Sequence, residues 1–179
     1  MALMVGSFGN SPASFVFGGG DSAGPVEDSV PNAFSFEPVA GVDLTSEQIS
    51  AVITISGINV PTDFSVSGGE LSLNGGPFSA AAGTLVNGDT VQLRHTASGD
   101  FATAVSTTAT VGGVSASFTS TTRAADTTPE AFSFADQSGV ELSAVVVSDA
   151  VQIAGIEAAA AISVEGGEYA IGCDSAVNH

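Results

Sequence analysis

Apolar and polar positions alternate along this chain in short runs, and the runs are separated by glycine-rich turns. Phe34 and Phe36 point one way from a first expected strand, and Ile49, Ala51, Ile53 and Ile55 alternate along a second that Gly57 closes. Phe64 and Val66 mark a third strand, and Leu71 and Leu73 a fourth, ended by Asn74-Gly75-Gly76. Asn87-Gly88 introduces Val91, Leu93 and His95. Thr103, Val105, Thr107, Ala109 and Val111 follow, then Gly112-Gly113, then Val114, Ala116 and Phe118. A period of two is the signature of a strand with one face inward, and about seven such strands suit a two-sheet sandwich. Asn-Gly and Gly-Gly pairs suit tight hairpins because they accept positive φ at little cost. No long stretch shows the 3.6-residue period of a helix. The expected fold class is all-β.

The pattern recurs. Displaced by 98 positions, Pro31-Asn32-Ala33-Phe34-Ser35-Phe36 falls on Pro129-Glu130-Ala131-Phe132-Ser133-Phe134. The same offset, without a gap, matches Gly41-Val42 to Gly139-Val140, Ile55 to Ile153, Gly57-Ile58 to Gly155-Ile156, and Gly68-Gly69-Glu70 to Gly166-Gly167-Glu168. Of the 43 positions from 31 to 73, 17 are identical to their counterparts. A repeat of that length is typical of immunoglobulin-like sandwiches. Residues 30–122 therefore read as a first β-sandwich, 123–128 as a linker, and 129–179 as a second, incomplete repeat. Half a sandwich is expected to expose sheet edges and an uncovered apolar face, and so not to be stable alone.

Residues 1–29 lie outside the repeat. They are rich in Gly, Ser and Ala, including Gly18-Gly19-Gly20, yet they carry Met4, Val5, Phe8, Phe15, Val16 and Phe17. Exposing such side chains is costly and promotes aggregation. The segment is therefore expected to be an extended arm that anchors on a partner chain, with residues 13–17 as an added strand.

Charge narrows the set of partners. The net charge is −17, from 19 acidic residues against two arginines, Arg94 and Arg123, with no lysine. Nucleic-acid binding needs several cations to displace the counterions of the phosphate backbone, so no nucleic-acid partner is expected. Anionic membrane surfaces are set aside by the same reasoning. Clustered carboxylates could gather calcium, but no EF-hand loop and no glycine–aspartate nonapeptide array is present, so a solvated acidic surface is the favoured reading. Met1-Ala2-Leu3-Met4-Val5-Gly6 lacks the basic start and the apolar length of a secretory signal. No stretch approaches the roughly 20 apolar residues of a membrane helix, so a soluble protein without membrane insertion is expected.

Candidate chemistry is sparse. The only histidines are His95 and His179, and the only cysteine is Cys173, so no zinc-ligand spacing and no intrachain disulfide are expected. His95 lies on the inward side of its strand and reads as a structural histidine. Sugar-binding clefts usually present Trp or Tyr platforms, and the chain has no Trp and only Tyr169. Gly18-Gly19-Gly20 lacks the Lys-Ser/Thr ending of a phosphate-binding loop. No catalytic residue, metal or cofactor is expected, and the chain reads as non-enzymatic.

Several phrases carry a family resemblance. They are the Pro129–Phe134 phrase, Gly139-Val140, Ile162-Ser163-Val164-Glu165-Gly166-Gly167-Glu168-Tyr169, Asn87-Gly88-Asp89-Thr90-Val91, and Val111-Gly112-Gly113-Val114-Ser115-Ala116-Ser117-Phe118. Together they resemble the roughly 95-residue immunoglobulin-like tandem repeats of large bacterial surface and extracellular proteins, which also occur in tailed-phage structural proteins. The resemblance covers residues 30–172. In some such repeats an Ile-Gly-Cys phrase pairs with a cysteine of the later Asp-Thr-Val-x-Val strand. Gln92 stands at that place here, so no bridge is carried over. The resemblance, the missing signal and the apolar arm imply a virion-surface protein of a phage or similar particle: a capsid decoration, head fibre or tail ornament. Its partners would be other virion subunits or further copies of itself. The alternative is a repeat spacer of a bacterial adhesin or extracellular matrix protein, at the cell surface.

Overall fold

The computed structural model describes residues 24–172, which contain nine strands and no helix. The strands are β1 (Val39–Val42), β2 (Glu47–Ile49), β3 (Ile53–Thr54), β4 (Thr62–Ser67), β5 (Glu70–Leu73), β6 (Gly83–Leu85), β7 (Thr90–Thr96), β8 (Ala104–Val111) and β9 (Val114–Thr122). One sheet has the order β1-β9-β8-β4-β6. In the other, β7 is central, with β5 on one side and β2 and β3 along the opposite side. The two sheets close on each other as a sandwich.

Alternation decides which side chains enter. Val91, Leu93 and His95 of β7 point inward while Gln92 and Arg94 point out, and β4 buries Thr62 and Phe64 in the same way. Phe64, Val91 and Leu93 join Phe36, Ile55, Ile58, Leu71, Leu85, Ala109, Val111 and Phe118 to form one core, a contiguous apolar cluster that supplies the main driving force for folding. The β8–β9 hairpin is the longest ladder, and its two-residue turn, Gly112-Gly113, has both φ values positive, at 53° and 86°. On its outer face three cross-strand hydroxyl pairs form, Ser106–Thr119, Thr108–Ser117 and Thr110–Ser115. The turn before β7 is pinned by Asp89, which accepts from the Val86 N–H and the Asn74 side chain. Those bonds, the backbone one first, hold its carboxyl below the ordinary range.

Three features depart from the sequence reading. Phe34 and Phe36 do face inward and meet edge to face at 6.3 Å, but their segment joins no sheet. Alternation reports which way side chains face, not whether the backbone is paired, and Pro31 and Pro38 flank the segment without a donor N–H. The strand expected from Ile49 to Ile55 is broken into β2 and β3. One extra residue enters between the Ile49–Arg94 and Ile53–Val91 pairs, which turns Ile49 outward and buries Ser50. The Ser50 hydroxyl accepts from the Leu93 N–H there, and Gln92 donates to the Ser50 carbonyl. Finally, β1 and β6 had no alternating signal. β1 exists because it lies parallel against β9, and β6 because it pairs with β4.

The pairing scheme has a further property. β1 pairs with β9, β2, β3 and β5 pair with β7, and β4 pairs with β6 and β8. No ladder joins any two of β1–β5. The N-terminal half of the sandwich takes every ladder partner from the C-terminal half.

Residues 129–172, the described part of the second repeat, contain no strand. Sheet edges were expected there. None forms, because the matching segments of the first repeat never pair among themselves. The local backbone is nevertheless kept. Thr45 and Ser143, Gly57 and Gly155, and Gly68 and Gly166 share positive φ within about 10° at the 98-residue offset. The Asn32 N–H bond to Ser56 is matched by Glu130 to Ala154, and Asn59 to Asp28 by Glu157 to Asp126. Phe132 and Phe134 stand edge to face at 6.0 Å, as Phe34 and Phe36 do.

Candidate functional site

The expected anchoring residues Met4, Val5, Phe8, Phe15, Val16 and Phe17 lie outside the described residues, as do Cys173 and His179. Three other places concentrate polar or apolar groups in ways that bear on function.

The first is His95. Its ring lies inside the sandwich, 5.1 Å from the Phe118 ring, and bridges the two sheets. Nδ1 is 2.9 Å from the Thr107 hydroxyl on β8, and Nε2 is 2.7 Å from the Ser120 hydroxyl on β9. Thr107 itself donates to the Gly68 carbonyl at 3.1 Å. Since that hydroxyl has one proton, it must accept from Nδ1–H, and Ser120 then donates to the bare Nε2. A neutral ring in this one tautomer satisfies every group. Burial lowers the histidine from its ordinary value, because the charged form is the one desolvated. Serine beside histidine is also the pairing of nucleophilic hydrolases. Here Ser120 is fully buried, and beyond the histidine the chain of bonds ends on a backbone carbonyl rather than a carboxylate. Its product is a cross-link between sheets. Sequence spacing could not show it, because the three residues lie on three strands.

The second place is the pair of arginines, the only cations in the sequence apart from the histidines and the terminus. Arg94 donates to Glu70 through Nε at 3.0 Å and to Glu47 through Nη1 at 3.1 Å, and lies 4.4 Å over the Phe78 ring. Hydrogen bonding to Glu70 is the main cause that raises its basicity. Arg123, just after β9, grips Glu157 with both terminal nitrogens, at 2.5 and 2.6 Å, beside Asp43 and over the Phe101 ring. That grip, with a bond from the Asp126 N–H, lowers the Glu157 carboxyl to about 2. Both guanidinium groups are thus engaged with the chain's own carboxylates. A small depression of about 290 Å³ lies beside Arg94, and a broader one of about 580 Å³ runs along Asp63–Ser65 and Gly112-Gly113; both are open to solvent. Among the described residues no group of three or more His, Cys, Asp or Glu could hold a metal ion, and no helix is long and apolar enough to cross a membrane.

The third place is an apolar row on residues 129–172. Phe134 is 55% exposed where its counterpart Phe36 is 6%, Ile153 is 40% where Ile55 is 1%, and Tyr169 is 52% where Leu71 is 3%. Phe132, Ile156, Ile162 and Val164 extend the row. The sequence reading expected an uncovered face without naming its members; the 98-residue offset names them. This face, and not the polar groups, is the surface with unmet demand for contact.

No family model matches the chain, and no curated protein matches it.

Proposed function

We propose that the chain is a non-enzymatic structural protein of a phage or similar particle, with immunoglobulin-like domains that project and an N-terminal arm that anchors. The observation that carries this reading is the row of half-exposed apolar side chains on residues 129–172, at positions whose counterparts form the core of the first sandwich. Apolar side chains left in water are a liability that a partner in an assembly would relieve. The acidic surface, with both arginines engaged by carboxylates, fits a particle exterior that repels nucleic acid. The arm residues Met4, Val5, Phe8, Phe15, Val16 and Phe17 supply the anchor on other virion subunits.

A second reading is a repeat spacer of a bacterial surface adhesin or matrix protein. The Arg123–Glu157 grip favours it, because it ties the end of the first sandwich to the segment that follows, as a rod of repeats would require. Deleting residues 1–23, which leaves the Val26 and Asp28 bonds to Asn59 in place, tests the first reading. The shortened chain should keep a folded sandwich by circular dichroism but no longer co-sediment with purified particles. Undiminished co-sedimentation would remove the anchoring role, and finding the intact chain only in the cell envelope would favour the spacer.

A further inference from the structure

We infer that the apolar face of residues 129–172 is a docking surface for one kind of occupant: a β segment patterned like residues 83–122, which supplies counterparts of β6–β9. The inference deepens the structural reading above and rests on it only in taking the face to be covered in the working assembly.

The first sandwich shows what such a face accepts. Its N-terminal half has no ladder of its own, and all five strands there pair with β6, β7, β8 or β9. Residues 129–172 keep that half's turns and entry bonds, with Gly155 packed on Glu130 as Gly57 is on Asn32. They also keep its apolar positions, and they lack strands because, among the described residues, no strand stands opposite.

The glycines make the same point independently. A Cβ on Gly69 would collide with the Arg94 carbonyl oxygen of β7 and the Thr107 hydroxyl of β8, and one on Gly68 with the Ser106 carbonyl oxygen. Gly68-Gly69 is therefore glycine so that two strands can approach the backbone closely. Gly166-Gly167 repeats the pair, yet nothing lies within 4 Å of a Cβ built at either. The clearance is present without the strands that need it. Glu165-Gly166-Gly167-Glu168 thus places the backbone of a β7-like strand and of a β8-like strand on the docking face.

The first sandwich of a second copy is not the occupant. Its own segment is already spent: Val91, Leu93, Ala109, Val111 and Phe118 have no exposed surface. Lending them would open one core to close another. What fits is an unpaired segment with that pattern: an inward Val-x-Leu-x-His strand, then a Gly-Gly hairpin carrying inward Ala, Val and Phe.

The test extends the full chain after His179 with a second copy of residues 82–122. This continues the 98-residue offset without a gap, since His179 stands opposite Ala81 in sequence. Hydrogen exchange of residues 129–172 is read by mass spectrometry, with protection of Val91 and Phe118 in the first sandwich as the control for folding. The unextended chain should exchange freely across 129–172, and the extended chain should slow there by at least about 100-fold. A third chain, with Asp in the added copy in place of Leu93 and Phe118, should return to free exchange. No slowing in the extended chain overturns the inference. So does strong protection of 129–172 in the unextended chain: at dimer mass the occupant is a second copy, and at monomer mass another part of the same chain. Particle co-sedimentation does not enter the readout, so failure here is distinct from failure of the particle reading.

Discussion

Residues 31–73 and 129–171 have closely related sequences and similar turns, yet only the first set is folded into sheets. The first stretch is crossed by β7, β8 and β9, which supply its ladder bonds and cover its apolar side chains. The second has the same Phe, Ile and Gly-Gly positions and, among the described residues, no strand across it. Local sequence therefore sets turn geometry and facing, while strand formation depends on residues some 20–80 positions away. A sheet in which consecutive strands pair would show less of this contrast, because half of it could form hairpins. An interleaved sandwich cannot be divided in that way, since its N-terminal half takes every ladder partner from the C-terminal half.

Matched substitutions can break or sharpen the comparison. The largest difference is expected for isoleucine truncation. Ile55→Ala should cost about 2–5 kcal/mol because it leaves a cavity in a packed core, whereas Ile153→Ala should cost under about 1 kcal/mol. Urea denaturation of both variants measures this, and equal losses would mean that the second stretch is packed too. The glycines come next. Gly69→Ala forces β7 and β8 away from the backbone and should cost about 1–3 kcal/mol; Gly167→Ala should stay within about 0.5 kcal/mol. Loss of stability at Gly167 of the same size would show an unrecognised neighbour there.

A smaller, pH-dependent difference belongs to His95, which has no described counterpart in the second stretch. Burial lowers its folded value below the ordinary 6.5, so over that window the unfolded chain binds the proton more readily. The stability it contributes is complete above pH 6.5 and is lost as pH falls from there toward the folded value. Protonating Nε2 also leaves the Ser120 hydroxyl proton without its acceptor. His95→Leu should be less stable at pH 7.5 yet show a flatter profile between pH 7.5 and 5; an unchanged slope would place the titration elsewhere.

The smallest effect is at the joint. Glu157 occupies the place that Asn59 holds in the first repeat, and Arg123 lowers its carboxyl to about 2. The contact is intact above the ordinary carboxylate range and is lost only as pH falls through that value. Arg123→Gln should return the Glu157 titration, followed by carboxyl NMR, toward 4.5 with little change in unfolding midpoint, as expected of an exposed ion pair. A carboxyl that stayed near 2 would assign the shift to the Asp126 backbone bond alone.

Much of the first sandwich was legible in the sequence. The inward rows of β4, β5, β7, β8 and β9, the Gly112-Gly113 hairpin and the structural place of His95 follow from period-two alternation and turn chemistry. The 98-residue offset predicted an uncovered apolar face, and the exposures of its side chains name the residues on it. β1 and β6 were not legible, because Val39–Val42 and Gly83–Leu85 have no alternation of their own and are strands only by virtue of β9 and β4. The one-residue bulge at Ser50 was hidden for a similar reason, since Ile49, Ile53 and Ile55 look alike to a periodicity reading and differ only in register against β7. The bond from Ser120 through His95 to Thr107 and Gly68 joins four separate segments, which no spacing rule connects.

Facing, turns and the repeat are local properties, written in side-chain size and backbone freedom within a few residues. Pairing, register and burial are not. They depend on which distant strand supplies the partner for each N–H and C=O, and the same apolar row becomes a core in one stretch and an open face in the other according to whether that strand is there.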